Sequence, residues 1–198
     1  MNSQPEVIIS LTSWTARIET VDQAVKSLLN QSIKADKVIL WLSEEEFPNK
    51  EKDLPASLLH LKEHGLTIDW CENLKSYKKL IPTLRKYPEA IIVTADDDLT
   101  YSNKWLEKLL NSYKKYPNDI HCHRVTKFSF QDGEFSIRSG GAEFYSIPSY
   151  LNKLTGGAGT LYPPGCFYKD ILNVELFQKL APTNDDQWFW IQSIRLLE

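Results

Sequence analysis

The stretch Ala90-Ile91-Ile92-Val93-Thr94-Ala95-Asp96-Asp97-Asp98 carries an apolar, largely β-branched run straight into three carboxylates. A short run of this kind, without alternation, reads as a strand buried on both faces, as in a parallel sheet. Its C-terminal end is where open α/β sheets bind ligands. In an extended segment residues two apart point the same way. Asp96 and Asp98 are therefore expected to share a face and either hold a hard divalent cation or divide metal and ribose hydroxyl between them. The plain alternative is an acidic turn that complements the dipole of the next helix. Three carboxylates in succession favour the metal.

Outward from this stretch, strands and helices alternate. Val7 to Leu11 and Val38 to Leu42 read as buried strands, and Leu66 to Cys71 as a third. Between them, Thr20-Val21-Asp22-Gln23 has the form of a capping box, followed by apolar Val21, Ala24, Val25, Leu28 and Leu29 at helical spacing. A helix is expected over Ala56 to His64, closed by Gly65, and another over Tyr77 to Tyr87 with Pro82 as a kink or late start. Ser102 is placed to cap a helix from Asn103 to Tyr116. Four strands alternating with helices predict an α/β sheet with right-handed crossovers.

After Asp119 the pattern changes. Phe128, Phe130, Phe135 and Ile137 alternate around Asp132-Gly133, the mark of a hairpin. Gly140-Gly141 and Gly156-Gly157-Ala158-Gly159 bracket a polar, Tyr-containing stretch, and Thr160 to Gly165 reads as too loop-like for a central strand. These are expected to be active-site loops.

Composition narrows the classes of function. Hydrophobic residues at 42% and charged residues at 25% of 198 exclude a disordered or fibrous chain. A net charge of −3 argues against nucleic acid as a partner. The apolar runs fall far short of the ~20 residues of a membrane span, and the N-terminus lacks the form of a signal peptide. Cys71, Cys122 and Cys166 form no CxxC pair and suit a reducing, cytoplasmic compartment.

Three further groups can carry chemistry. Asn184-Asp185-Asp186-Gln187 opens an aromatic helix containing Trp188 and Trp190; the acids either stabilise the helix dipole or, with one desolvated by the aromatics, supply a general base. Ser10, Thr12, Ser13 and Arg17 lie at the end of the first strand, and Lys75, Lys78 and Lys79 follow the third, so both sets converge on one sheet edge, where a diphosphate would require them, although Lys78-Lys79 also reads as a solvated helix face. No P-loop and no dinucleotide fingerprint occurs. His121-Cys122-His123 either supplies alternate metal ligands or, on a strand, flanks a buried Cys122, and His60 with His64 lacks the Glu of a zincin motif. Tyr145, Tyr150, Tyr162, Trp188 and Trp190 lie in or near the loop-rich half, where aromatic faces either pack in the core or stack on sugars.

Taken in order, the opening strand with Ser/Thr and Arg17, the Asp96-Asp97-Asp98 motif, the Gly-rich segment and Asn184-Asp185-Asp186 before an aromatic helix resemble a GT-A-fold, nucleotide-sugar-dependent glycosyltransferase of the bacterial, inverting, family-2-like kind. The resemblance covers nearly the whole chain. It implies a mixed, mainly parallel sheet flanked by helices, in a single domain over 1–198. Residues 1–118 would form the nucleotide-sugar-binding half. Residues 119–198 would form a hairpin-containing, loop-rich acceptor half, truncated at its C-terminus if a further segment follows as in bacterial relatives. It implies a UDP-sugar donor, Mn²⁺ or Mg²⁺ on Asp98 and Asp96, and donor contacts from Ser10, Thr12, Arg17, Lys79, Asp96 and Asp97. Asp186 or Asp185 would be the base towards a glycan or lipid-linked glycan acceptor, as in capsule or lipopolysaccharide synthesis. Peripheral association with the inner face of the membrane stays open, and nothing in the sequence specifies an oligomeric state. Two alternatives compete. One is a haloacid-dehalogenase-like phosphatase using Asp96 and Asp98, which would be expected on the first strand. The other is a non-catalytic carbohydrate-binding module, disfavoured by the β-α alternation.

Overall fold

The computed structural model describes residues 5–138 and 147–195. Four strands, β1 (Val7–Thr12), β2 (Lys37–Ser43), β3 (Leu66–Cys71) and β4 (Ile91–Ala95), pair in parallel in the order β3-β2-β1-β4. Alternate residues of these strands enter two cores. Ile9, Leu11, Leu40 and Val93 pack on one face against α1 (Val21–Leu29) and α4 (Trp105–Lys115). Ile8, Ile39, Trp41 and Ile92 pack on the other with α5 (Val174–Leu180) and α6 (Asp185–Ile194), through Phe177, Trp188 and Phe189. Each fully buried Ile, Leu or Val contributes about 1.5–3 kcal/mol. The buried runs without alternation follow from this two-sided covering.

The expected helices form with altered ends. Residues 56–64 divide into α2 (Ala56–Leu59) and a 3₁₀ turn, His60–His64, ended by Gly65 at φ +105°. Residues 75–86 divide into a 3₁₀ turn, Lys75–Lys79, and α3 (Ile81–Lys86), with Pro82 in its first turn, so the proline marks a late start. Two expected caps are replaced. The Thr20 hydroxyl donates to Arg17 O instead of capping α1. Ser102 does not cap α4, whose Leu106 N–H donates to Gln31 Oε1 at 3.0 Å.

The second half departs further from expectation. Thr160 to Tyr162 is a strand, β9, and it lies between β4 and β5 (His121–Cys122), antiparallel to both. Leu161 enters one core and Tyr162 the other. Three residues suffice because Pro163 and Pro164 follow only once the pairing ends. A separate sheet has the order β7-β6-β8, built from β6 (Val125–Gln131), β7 (Glu134–Arg138) and β8 (Asn152–Leu154). Its hairpin turns at Asp132 (φ +54°) and Gly133 (φ +82°), the paired positive φ values that a two-residue turn needs. Gly140, Gly141 and Tyr145 lie outside the described residues. Among the described residues no helix is long and apolar enough to cross a membrane.

Candidate active site

Strand β4 ends at Ala95, so the three aspartates sit in a turn and strand alternation does not reach them. The three carboxylates share two cations. Asp96 Oδ1 accepts from Lys79 Nζ at 2.6 Å. Asp97 is buried and accepts from Ser13 Oγ at 2.6 Å and Arg17 Nη1 at 2.7 Å. Asp98 is half exposed and lies 3.0 Å from the same guanidinium nitrogen. The expected common face of Asp96 and Asp98 is therefore replaced by two ion pairs at the edge of one cleft. Arg17 is held above its ordinary pKa by its hydrogen bond to Asp97 and by the charges around it. Its guanidinium, expected to be free for a diphosphate, is already engaged by Asp97 and Asp98.

Beside this turn is a cleft of about 480 Å³ lined by Thr12, Ser13, Arg17, Lys79, Asp96 and Asp97, with Trp14 half exposed at its edge. Thr12 donates to Trp41 O at 2.8 Å. Ser10 is not part of this lining. It is fully buried and shares a hydrogen bond with Thr83 at 2.6 Å, because it lies on the same face of β1 as Thr12 but two residues back from the strand's end, where α3 covers it. Of the other lysines, Lys75 and Lys78 both line the cleft, and Lys78 is largely buried there and engaged by Glu46 and Ser13 O.

The second half contributes Asp185 and Asp186 at the start of α6, where Asn184 caps the helix by accepting from Gln187 N at 3.1 Å. Lys79 Nζ stands 3.2 Å from Asp185 Oδ2, a Coulombic contact without hydrogen-bond geometry. One lysine thus joins Asp96 and Asp185 across 89 residues of sequence. Burial alone would lower its pKa, and the two carboxylates outweigh burial and raise it. Asp186 Oδ2 accepts from Gly156 N at 3.0 Å, while Asp186 Oδ1 is buried with no hydrogen-bond partner. Burial, with the neighbouring Asp185, pushes the Asp186 pKa up against the opposing Gly156 N–H and Lys79.

The glycine segment permits this convergence. A Cβ at Gly156 would meet Asp186 Oδ1 at 2.5 Å, and one at Gly157 would meet Asp96 Oδ2 at 2.9 Å. Tyr101 and Trp105, absent from the sequence-based site, fasten the segment. The Tyr101 hydroxyl accepts from Asp96 N–H at 2.7 Å and donates to Gly157 O at 3.1 Å, while Trp105 Nε1 donates to Ala158 O at 2.7 Å. Tyr162 and Trp188 belong to the core, Trp190 stacks on Phe128, and Tyr150 is exposed. His121 is buried and bonded to Ser112 and Tyr116 O, and His123 bonds Trp105 O. Cys122 between them is only half-buried and His121 is the buried member, while His123 faces outward as expected. Among the described residues no three His, Cys, Asp or Glu side chains form a metal cluster.

A family model described as glycosyl transferase family 2 matches residues 12–170. No curated protein matches the chain. Among solved structures, the chain is similar to S. aureus TarS 1-349, with a TM-score of 0.57 at 12% identity over 95% of this chain and 55% of that one. A structure of S. aureus TarS 1-349 in complex with UDP gives 0.56 at 12% identity, over 95% and 54%. A 4-diphosphocytidyl-2C-methyl-D-erythritol synthase gives 0.52 at 10% identity, over 90% and 86%. The chain spans about half the length of the TarS structures, at 55% and 54%. At these identities the likeness concerns the fold, and it agrees with the expected GT-A-like class.

Proposed function

The chain belongs to glycosyl transferase family 2, and from that premise we propose that it moves a sugar from a UDP-sugar to an acceptor hydroxyl in bacterial glycan synthesis. One observation carries the reading. Lys79 binds a carboxylate from each half of the chain, Asp96 at 2.6 Å and Asp185 at 3.2 Å, beside a cleft of about 480 Å³. A donor in the cleft and an acceptor against α6 would meet at this junction. The phosphatase alternative finds no support in the family match, and the mixed α/β sheet speaks against an all-β binding module.

Thr12, Ser13 and Lys75 line the cleft as donor contacts, and Asp97 holds Arg17 at its edge. The donor set suits Mg²⁺ or Mn²⁺, because Asp98 and Asp96 offer hard oxygens and such ions need only one or two carboxylates besides substrate phosphates. When bound there, the metal would neutralise charge on the leaving diphosphate. Asp186 is the base in this reading. Its Oδ1 lacks a protein donor, so an acceptor hydroxyl can fill that role, and its raised pKa suits proton uptake. Asp185, paired with Lys79, holds that ammonium beside the base.

The test is turnover of a panel of UDP-sugars, by transfer or slow hydrolysis, for wild type and Asp186→Asn. A fall of ~10²–10⁴ in turnover with donor affinity kept is expected. Full activity in the amide variant would reduce Asp186 to a helix-end group.

A further inference from the structure

His60 and His64 stand one helical turn apart, with their Nε2 atoms 3.3 Å from each other. We propose that this pair is a chelating site for a late first-row divalent cation, with zinc as its type. The site is remote from the cleft in topology. The turn His60–His64 leads through Gly65 into the N-terminal end of β3, whereas Asp96–Asp98 follow the C-terminal end of the parallel β4.

The separation of the two nitrogens suits one shared ion. Two Zn–N bonds of ~2.0–2.1 Å meeting at a tetrahedral angle place their nitrogens about 3.3 Å apart. The rings are steeply inclined, at 80° with centroids 4.9 Å apart, so they are not stacked, and their Nε2 atoms are 3.3 Å apart. Glu63 Oε2 lies 3.4 Å from His60 Nδ1. A carboxylate there draws the ring proton to Nδ1 and leaves Nε2 with its lone pair, as behind many metal-bound histidines. A bare His–His hydrogen bond is the competing explanation, and 3.3 Å is long for one.

The backbone holds the pair in place. Leu58 and Leu61 are buried in the core beneath this segment, so His60, Glu63 and His64 are presented together to solvent. Imidazole pairs favour zinc, copper and nickel, whereas carboxylates and phosphates favour magnesium and manganese. The two sites therefore differ in ligand chemistry as well as in position. With two protein donors the ion keeps open positions for water or an outside ligand, and it exchanges readily, unlike the closed four-ligand centre of a structural zinc.

Zinc titration by calorimetry tests the assignment, using the full chain free of any histidine tag, in excess Mg²⁺. Wild type is expected to take up one zinc per chain. His60→Ala and His64→Ala should each weaken uptake by more than ~10-fold, since loss of an outer-sphere partner alone typically costs ~10–100-fold. Their metal-free melting temperatures should match wild type, because both side chains are exposed. Absence of zinc uptake by the wild type, or equal uptake by the double alanine variant, would overturn the proposal.

Discussion

Replacing Lys79 with Met removes the cation shared by the two halves of the site. Its ammonium is nine-tenths buried, 2.6 Å from Asp96 and 3.2 Å from Asp185. Removing one partner of a buried ion pair costs about 3–5 kcal/mol, because the remaining charge is left without compensation. Asp96 is 27% exposed and can recover some hydration, whereas Asp185 at 11% recovers little, which places the expected loss near the lower end, about 3 kcal/mol. For a chain of this size that is a fall of about 6–12 °C in Tm. The pH dependence has a definite sign. The Lys79 pKa is raised in the fold, so its contribution is complete below the unfolded lysine pKa and is lost only as alkaline pH passes through the folded value. Urea unfolding at neutral pH and again at alkaline pH measures it, and the deficit of the variant should shrink only at the alkaline end. Asp185→Asn in the same background should recover part of the loss by coupling. A loss below about 1 kcal/mol, or full additivity of the two changes, would refute the reasoning.

Gly159→Ala should cost about 2–4 kcal/mol, since φ is +105° and a Cβ would lie 2.3 Å from the Trp105 ring, which is itself pinned to Ala158. Gly133→Ala, with φ +82° and nothing within 4 Å, is the control at about 1–2 kcal/mol; equal losses would discount the indole contact. Tyr101→Phe removes the hydroxyl between Asp96 and Gly157 and should lower kcat more than it raises donor KM, with a fall in Tm because Asp96 N–H and Gly157 O lose their partner; an effect on KM alone would contradict this role. The acidic limb of kcat/KM should lie above the ordinary carboxylate range, because Asp186 is raised by burial and by Asp185, and in Lys79→Met it should move higher still. A limb at the usual pH of a free carboxylate would count against Asp186 as the base.

The parallel half was legible because its code is local. Val7 to Leu11, Val38 to Leu42 and Ala90 to Ala95 are buried on both faces, and such strands announce themselves without reference to partners. β9 was not legible. Thr160-Leu161-Tyr162 is three residues between glycines and prolines, and only its pairing with Thr94, Val93 and Ile92 makes it a strand. The carboxylates were found because acids after a buried strand and at a helix start are visible in sequence. Their partners were harder. Lys79 and Arg17 were placed near a diphosphate, while in the fold each is first engaged by aspartates. Tyr101 had no signal, since its hydroxyl matters only once the chain returns at Gly157. Ser10 and Thr12 lie on one face of β1, Thr12 at the strand's end in the cleft and Ser10 two residues back in the core, and with the reach of α3 over that face unassigned the sequence could not tell core from cleft.

The central claim is that the cleft beside Asp96–Asp98 binds a nucleoside diphosphate. Calorimetric titration of UDP with Mn²⁺ into wild type and Asp98→Asn tests it most directly. Asp98 is half exposed and pairs with Arg17, which lines the cleft, so the variant should fold normally. The account predicts saturable binding by wild type and a loss of at least about tenfold in the variant, since a charge-assisted contact contributes ~1.5–3 kcal/mol. No UDP binding by a folded wild type, or equal binding by the variant, would contradict it.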